Sequence, residues 1–167
     1  MLTEKFPNLK GLILDMDGVL WHDTQAIGHL PAIFAAISDL GLRYVFATNN
    51  ATKTVAEYQD KLSKFGLDVQ AEQIITSAAT TALYLQEHYA AGTCIYVVGS
   101  DSLRQILRQH GFVVSPVDEY QSAQLVVVGM DVGMTYEKIR NAALLVRAGA
   151  GFIATNTDAT FPTPQGL

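Results

Sequence analysis

Apolar stretches of strand length alternate with amphipathic stretches of helix length along almost the whole chain. This alternation is typical of repeated strand and helix units, and it predicts an α/β fold with a mostly parallel sheet. Three apolar stretches, CIYVV, QLVVV and GFIAT, are nearly continuous, so we expect those strands to be buried on both faces. The predicted strands are GLIL (11–14), RYVFATNN (43–50), EQIIT (72–76), CIYVVG (94–99), QLVVVG (124–129) and GFIATN (151–156).

Helix start and stop signals separate the predicted strands. Pro31 opens the first helix and Gly41 closes it, which is the usual placing of these two residues in helices. Thr54 and Glu57 have the spacing of a capping box for the second helix, and Gly66 follows its last turn. The predicted helices are PAIFAAISDLG (31–41), VAEYQDKLSKF (55–65), SAATTALYLQEHYA (77–90), DSLRQILRQHG (101–111) and TYEKIRNAALLVRAG (135–149).

Composition narrows the class of protein. The 167 residues are 49% hydrophobic, which is enough for a buried core, and the formal net charge is −5. That charge argues against a surface for nucleic acid or for an anionic membrane. No stretch approaches the roughly 20 apolar residues of a membrane span, and no secretory signal is visible, so we expect a cytoplasmic protein. A single cysteine, Cys94, excludes a disulfide framework.

The stretch DMDGVL (15–20) carries the main candidate chemistry. Two carboxylates that directly follow an apolar strand are costly to desolvate unless a cation compensates them. The local sequence also leaves open a β-hairpin turn at Asp17 and Gly18, or a solvated surface loop. A calcium-binding loop of the D-x-D type is excluded, because its glycine comes too early and its twelfth position is Ala26.

Polar residues also follow the next predicted strand, where Thr48 and Asn49 come after an apolar run. Ligands of open α/β sheets bind at the carboxyl ends of the strands, so we expect these residues to face the same site as Asp15 and Asp17. Oxygen ligands of this kind suit Mg²⁺, and Gly18 lets the backbone approach an anion closely. In such a site Asp15 could attack phosphorus to give an aspartyl-phosphate, with Asp17 as acid and base.

The stretch LDMDGVL, followed by Thr48 in ATNN, resembles the first two motifs of the haloacid dehalogenase superfamily of phosphohydrolases. The resemblance covers essentially the whole chain and points to the NagD-like branch, which contains 4-nitrophenylphosphatases, phosphoglycolate phosphatases and pyridoxal phosphatases. The other stretches that carry it are LxxxGL (62–67), ITSAATTALYL (75–85), YVVGSDSLRQIL (96–107), VVVGMDVGMTYEKI (126–139) and FIATNTDATFPTPQGL (152–167).

This resemblance implies a Rossmann-like core with an inserted α/β cap, residues 1–76 forming the first part of the core and residues 77–167 the cap. It implies that Asp15 is the nucleophile and a ligand of Mg²⁺, and that Asp17 is the acid and base and binds Mg²⁺ through its backbone carbonyl. It also implies a small phosphorylated metabolite as substrate, and it leaves open a homo-oligomer formed through the cap. The residues implied to bind the phosphoryl group and substrate are Gly18, Thr48, Asn49, Asn50, Asp158 and Phe161.

The sequence departs from the family pattern at its end. Family members have, after the cap, a lysine beside the phosphoryl group and an acidic motif that binds Mg²⁺, whereas this sequence ends at PTPQGL (162–167). We therefore expect an incomplete core, the N-terminal portion of a longer phosphatase, that hydrolyses 4-nitrophenyl phosphate poorly by itself. The alternative is a non-catalytic binding or assembly module that pairs with another chain through its exposed strands.

Overall fold

The computed structural model describes residues 5–158. These residues form two compact units. The first unit comprises residues 5–48 and 55–75, and the second comprises residues 49–54 and 76–158. The fold is α/β with parallel sheets, as the sequence predicts. The assignment of residues 1–76 to a core and of 77–167 to a cap stays a prediction.

The first unit is built on a three-stranded sheet, in which Gly11–Asp15, Arg43–Thr48 and Ile74–Thr76 lie side by side in that order. Its elements are β1 (Gly11–Asp15), β2 (Trp21–His22), β3 (Gln25–Ala26), α1 (Leu30–Asp39), β4 (Arg43–Thr48), α2 (Val55–Lys64) and β5 (Ile74–Thr76). Strands β1 and β4 run parallel, with Gly11 opposite Arg43 and Asp15 opposite Ala47. The two short strands β2 and β3 form an antiparallel hairpin of their own.

Local sequence signals explain the limits of α1. The Nδ1 atom of His29 accepts a hydrogen bond from the amide of Ala32 at 3.2 Å, and Pro31 lies in the first turn, where its missing N–H costs nothing. Gly41 follows the helix with a φ of +68°, which a residue with a Cβ adopts only at a cost. The chain therefore turns at Gly41 and enters β4.

Aromatic side chains fill the core of the first unit. Trp21, Phe34, Phe46 and Tyr58 are all buried there, together with aliphatic residues from both helices. The strand β1 lies at the edge of this sheet and is less buried. Its residue Ile13 is 76% exposed. In the part of the chain that the structure describes, this edge strand therefore presents an apolar side chain to solvent.

The second unit contains a four-stranded parallel sheet, in which Val113–Val114, Cys94–Val98, Leu125–Val128 and Gly151–Ala154 lie side by side in that order. Its elements are α3 (Ser77–His88), β6 (Cys94–Val98), α4 (Asp101–Gln109), β7 (Val113–Val114), β8 (Leu125–Val128), α5 (Tyr136–Arg147) and β9 (Gly151–Ala154). Side-chain oxygens of Thr76, Ser100 and Thr135 cap the three helices at their N-termini.

Of the three strands predicted to be buried on both faces, β6 and β8 confirm the prediction. The residues of β6 and β8 are nearly all buried. The prediction is wrong for β9, where Phe152 is 57% exposed. Among the described residues β9 pairs only with β8, so its position at the end of the sheet leaves one face open despite its apolar sequence.

The segment 49–54 groups with the second unit although it directly follows β4. Two hydroxyl groups of α4 and its N-cap donate to carbonyls of this segment: Ser100 Oγ to Ala51 at 2.8 Å, and Ser102 Oγ to Thr52 at 2.9 Å. Ala51 is buried in the same hydrophobic core as α3 and α4. Within residues 5–158, no helix is long and apolar enough to cross a membrane.

Candidate active site

The end of β1 and the end of β4 bring Asp15 and Thr48 to the same edge of the first unit's sheet. The two strands are parallel, and their register places Asp15 opposite Ala47, the residue before Thr48. Asp17 follows two residues later in the loop. Carboxylates and a hydroxyl group therefore gather at the carboxyl ends of neighbouring strands, where open α/β sheets bind their ligands.

Asp15 ends its strand with an accessible carboxylate. Its Oδ1 atom accepts a hydrogen bond from the amide of Met16 at 2.8 Å, and the residue is exposed. The Met16 side chain is completely buried and anchors the loop to the core. An accessible carboxylate on an anchored backbone is suited to attack an incoming electrophile, because little reorganisation is needed to present it.

Asp17 is held on one side by Trp21. The indole Nε1 of Trp21 donates to Asp17 Oδ1 at 2.8 Å. Asp17 and Trp21 also form a backbone bridge, and the Gly18 amide donates to the Trp21 carbonyl at 2.8 Å. The other carboxylate oxygen, Oδ2, is buried.

Tyr58 connects Asp17 with Thr48. This tyrosine of α2 is completely buried, and burial is the main cause that raises the pKa of its phenol. The negative charge of Asp17 raises that pKa further. The hydroxyl lies close to the side chains of both Asp17 and Thr48, so the tyrosine stays a neutral phenol at the point where the acidic loop meets β4.

Gly18 has a conformational role in this loop. Its φ of +81° lies in the left-handed region, which favours glycine, and the turn there leads into Trp21. The amide of Gly18 is engaged with the Trp21 carbonyl, so its contribution to anion binding stays a prediction. The hairpin that the sequence left open at Asp17 and Gly18 forms further along instead, where Trp21–His22 pair with Gln25–Ala26.

The other residues predicted to bind substrate lie in the second unit or beyond the described residues. Asn49 Nδ2 donates to the Asp158 carboxylate, and the Asn49 carbonyl accepts from Ser77 Oγ at 2.7 Å and from Asn156 Nδ2 at 2.9 Å. Asn49 and Asp158 are thus neighbours, although 109 residues separate them in the sequence.

The structure gives Asn50 a local role in a turn, and it does not describe Phe161. The Oδ1 atom of Asn50 accepts from the amide of Thr52 at 2.9 Å and from its hydroxyl at 2.6 Å, which fixes the turn after β4. The asparagine is also buried. Phe161 lies outside the residues that the structure describes.

The aspartates at and just after the end of β1 are oxygen donors that could hold a divalent metal ion. Within residues 5–158, no group of three or more His, Cys, Asp or Glu side chains is arranged to hold a metal. Mg²⁺ usually takes one or two carboxylates and completes its shell with waters and phosphate oxygens. The accessible carboxylate of Asp15 and the neighbouring Asp17 match that incomplete donor set.

Sequence reasoning missed the roles of Trp21 and Tyr58. The sequence alone predicts neither the hydrogen bond from Trp21 to Asp17 nor the position of Tyr58 close to Asp17 and Thr48. The only signal in the sequence is spacing: Trp21 comes four residues after Asp17, within the reach of a turn. Such spacing is too common to predict a hydrogen bond.

Comparison with known proteins identifies the family. The model for haloacid dehalogenase-like hydrolases matches residues 12–113. The 5'-nucleotidase YutF of Bacillus subtilis (strain 168) is 34% identical over 158 residues, which are 95% of this chain and 60% of that protein. The acid sugar phosphatase of Staphylococcus haemolyticus (strain JCSC1435) is 33% identical over 160 residues, 96% of this chain and 59% of that protein.

Solved structures agree with this result. A hypothetical protein from Pyrococcus horikoshii OT3 matches with a TM-score of 0.86 and 39% identity, over 95% of this chain and 62% of that one. The glycerol phosphate phosphatase of Mycobacterium tuberculosis in complex with magnesium matches with a TM-score of 0.83 and 30% identity. This match covers 95% of this chain and 47% of that one. The chain spans about 60% of the length of the curated relatives named above. With a family model covering residues 12–113, the chain belongs to the haloacid dehalogenase-like hydrolases.

Proposed function

We propose that the protein is a Mg²⁺-dependent phosphatase that hydrolyses the phosphate monoester of a small metabolite through an aspartyl-phosphate. The observation that carries this proposal is the meeting of Asp15, Asp17 and Thr48 at one end of the sheet of the first unit. Membership of the haloacid dehalogenase-like hydrolases supports the same chemistry.

Asp15 is the nucleophile in this proposal. One of its carboxylate oxygens attacks phosphorus, a bond forms between that oxygen and phosphorus, and the bond from phosphorus to the ester oxygen breaks. Asp17, protonated at this stage, transfers its proton to the departing ester oxygen, which leaves as an alcohol. The product is phosphorylated Asp15 beside an ionised Asp17.

The second step restores both aspartates. Asp17, now a carboxylate, takes a proton from a water molecule that attacks phosphorus, and the bond between phosphorus and the Asp15 oxygen breaks. Inorganic phosphate leaves, Asp15 is again a carboxylate, and Asp17 is again protonated. In both steps the Thr48 hydroxyl donates to a phosphoryl oxygen, which orients the phosphoryl group for in-line attack.

Asp15 and Asp17 would hold the magnesium ion. When bound, Mg²⁺ offsets the negative charge that gathers between the phosphoryl group and the two aspartates. The complex of a related glycerol phosphate phosphatase with magnesium supports the choice of this ion.

The names of the relatives support a small phosphorylated substrate. One is called an acid sugar phosphatase, one a 5'-nucleotidase, and one a glycerol phosphate phosphatase. We propose that the second unit is the cap implied by the resemblance and that it sets the choice among such substrates. The roles implied for Asn49, Asn50, Asp158 and Phe161 stay predictions.

One observation favours the alternative of a binding or assembly module. The face of β1 and β4 forms an open groove of about 500 Å³, lined by residues that include Leu12, Ile13 and Tyr44. Apolar surface of this kind is suited to cover by further polypeptide. Stable association without turnover would favour this alternative.

The phosphatase proposal is tested by assaying 4-nitrophenyl phosphate with protein expressed from its complete gene. We expect turnover that needs Mg²⁺, stops with a chelator, and falls by roughly a thousandfold or more in Asp15→Asn, because the amide cannot form the acyl phosphate. Asp23→Asn is the matched control, since Asp23 is an exposed acid of the hairpin turn with a φ of +50°, which asparagine tolerates. Turnover that persists in Asp15→Asn, or that needs no divalent ion, would contradict the proposal.

A further inference from the structure

Helix α5 buries one side against the sheet of the second unit. Asn141 and Leu145 are buried there, and Leu145 belongs to the same hydrophobic core as Tyr96 of β6 and Val126 of β8. Asn141 and Leu145 are four positions apart, so they lie one above the other on the same side of the helix. The opposite side of α5 faces solvent in the part of the chain that the structure describes.

The solvent side of α5 carries an apolar row, which we call the α5 stripe. Its members are Tyr136, Ile139, Ala143 and Val146, and all four are exposed. Their spacings of three, four and three residues place these side chains in one row along the helix, like the core positions of a coiled coil. A surface helix usually turns polar residues to solvent, so an apolar row on this side indicates a surface that is suited to cover by another polypeptide.

The order of residues makes the α5 stripe complementary to itself. Tyr136 and Val146 lie equally far on either side of position 141, and so do Ile139 and Ala143. In a symmetric dimer in which two copies of α5 cross antiparallel near position 141, the small Ala143 of each copy faces the larger Ile139 of the other. Large side chains opposite small ones interdigitate at the packing density of a protein interior.

The charges at the two ends of α5 fit the same arrangement. Glu137 lies in the first turn and Arg147 in the last. In the antiparallel pair, Arg147 of one copy comes to within one helical turn of Glu137 of the other, so opposite charges meet at both ends of the contact. Glu137 also pairs with Arg140 of its own helix at 3.4 Å and is about half exposed, which leaves it accessible to a second cation. A parallel pair would instead place like charges side by side.

We propose that the protein forms a symmetric dimer in which the α5 stripe packs antiparallel against the α5 stripe of a second copy. This inference goes beyond the proposed function and does not depend on it. The helix has 12 residues and is about 18 Å long, so the contact is small. Interfaces below about 1,200 Å² form weak complexes, so we expect a dimer at roughly 100 μM and a monomer at about 1 μM.

The oligomeric state of the protein expressed from its complete gene tests the inference. Sedimentation velocity is measured between about 1 and about 500 μM, a range that covers weak association. Ile139→Lys places a charge at the centre of the α5 stripe. Leu144→Lys is the matched control, because Leu144 lies on the same helix outside the stripe and is 47% exposed, close to the 52% of Ile139. Circular dichroism checks that both variants fold, as expected for changes at exposed positions.

We expect the unmodified protein and Leu144→Lys to sediment as dimers at the highest concentrations. The dissociation constant should rise by about tenfold or more in Ile139→Lys, because the lysine charge would be desolvated at the centre of the contact. A monomer at every concentration, a dimer that Ile139→Lys leaves unchanged, or equal losses in Ile139→Lys and Leu144→Lys would overturn the inference. The measurement needs no substrate, so its outcome is distinct from that of the phosphatase assay.

Charge reversal tests the antiparallel orientation separately. Glu137→Arg alone, or Arg147→Glu alone, should weaken the dimer because each brings like charges together at both ends of the contact. The double variant Glu137→Arg/Arg147→Glu should regain most of the lost affinity. A double variant that dimerises no better than the two single variants would contradict the proposed orientation.

Discussion

At the scale of single residues, the acidic loop depends on two aromatic side chains whose polar atoms face inward. Trp21 donates to Asp17, and the hydroxyl of Tyr58 lies close to Asp17 and Thr48. Buried tryptophan and tyrosine usually find partners for their N–H and O–H groups, and here the partners are the residues proposed to do the chemistry. We therefore expect a change to either aromatic residue to affect both the stability and the proposed activity.

Burial of Tyr58 predicts a loss of stability at high pH. Its pKa is raised in the folded protein, so the folded state holds the phenolic proton more tightly than the unfolded state does. The free energy of unfolding should thus fall as the pH rises above about 10, the ordinary pKa of tyrosine. Tyr58→Phe has no proton to lose, and its slope should be shallower by up to about 1.4 kcal/mol per pH unit.

Urea unfolding at several pH values between 8 and about 11 measures this slope. Tyr136→Phe is the matched control, because Tyr136 is 80% exposed and lies on α5 in the other unit. We expect Tyr136→Phe to keep the wild-type slope. Parallel curves for the wild type and Tyr58→Phe would show that the phenol of Tyr58 does not titrate with unfolding.

At the scale of elements, the sequence predicts which segments form helices and strands, but it does not predict how deeply each of them is buried. Helix α3 begins at Ser77 as predicted. The strands of the two sheets lie within the predicted apolar stretches, apart from the short strand β7. Periodicity and caps are local, so they can be read from the chain. The burial of β9, by contrast, depends on its place at the end of the sheet. The grouping of residues 49–54 with α4 depends on two hydrogen bonds, whose partners are separated by 49 and by 50 positions in the sequence.

A partly buried ion pair joins the loop after β8 to α5. Lys138 Nζ lies 2.8 Å from Asp131 Oδ2, and the two side chains are 17% and 6% exposed. Lys138→Met would leave the Asp131 carboxylate buried without its cation. We expect a loss of about 2–3 kcal/mol in the free energy of unfolding, because an uncompensated buried charge is costly.

Chemical denaturation of the variants checks this expectation. Glu137→Gln on the same helix is the control, since its pair with Arg140 is about half exposed and should change stability by less than about 0.5 kcal/mol. The double variant Asp131→Asn/Lys138→Met should lose less than Lys138→Met alone, because it removes both charges. Equal losses in the single and double variants would mean that Lys138 acts through packing.

At the scale of the whole molecule, the candidate site follows from one feature of parallel sheets. Two neighbouring strands that run in the same direction present their carboxyl ends together, so the spacing of DMDGVL and ATNN in the sequence was enough to place Asp15 near Thr48. The sequence could not supply Trp21 as a partner of Asp17, because that bond depends on how α2 packs against the indole.

The central claim is that Asp15 carries the phosphoryl group between the two chemical steps. Rapid quenching of the full-length protein with 4-nitrophenyl phosphate and Mg²⁺, followed by borohydride reduction and mass spectrometry of the peptides, locates an acyl phosphate directly. The account predicts reduction of Asp15 to homoserine, dependent on substrate and absent in Asp15→Asn. Modification of another residue during turnover, or turnover with no modified aspartate at any quench time, would contradict it.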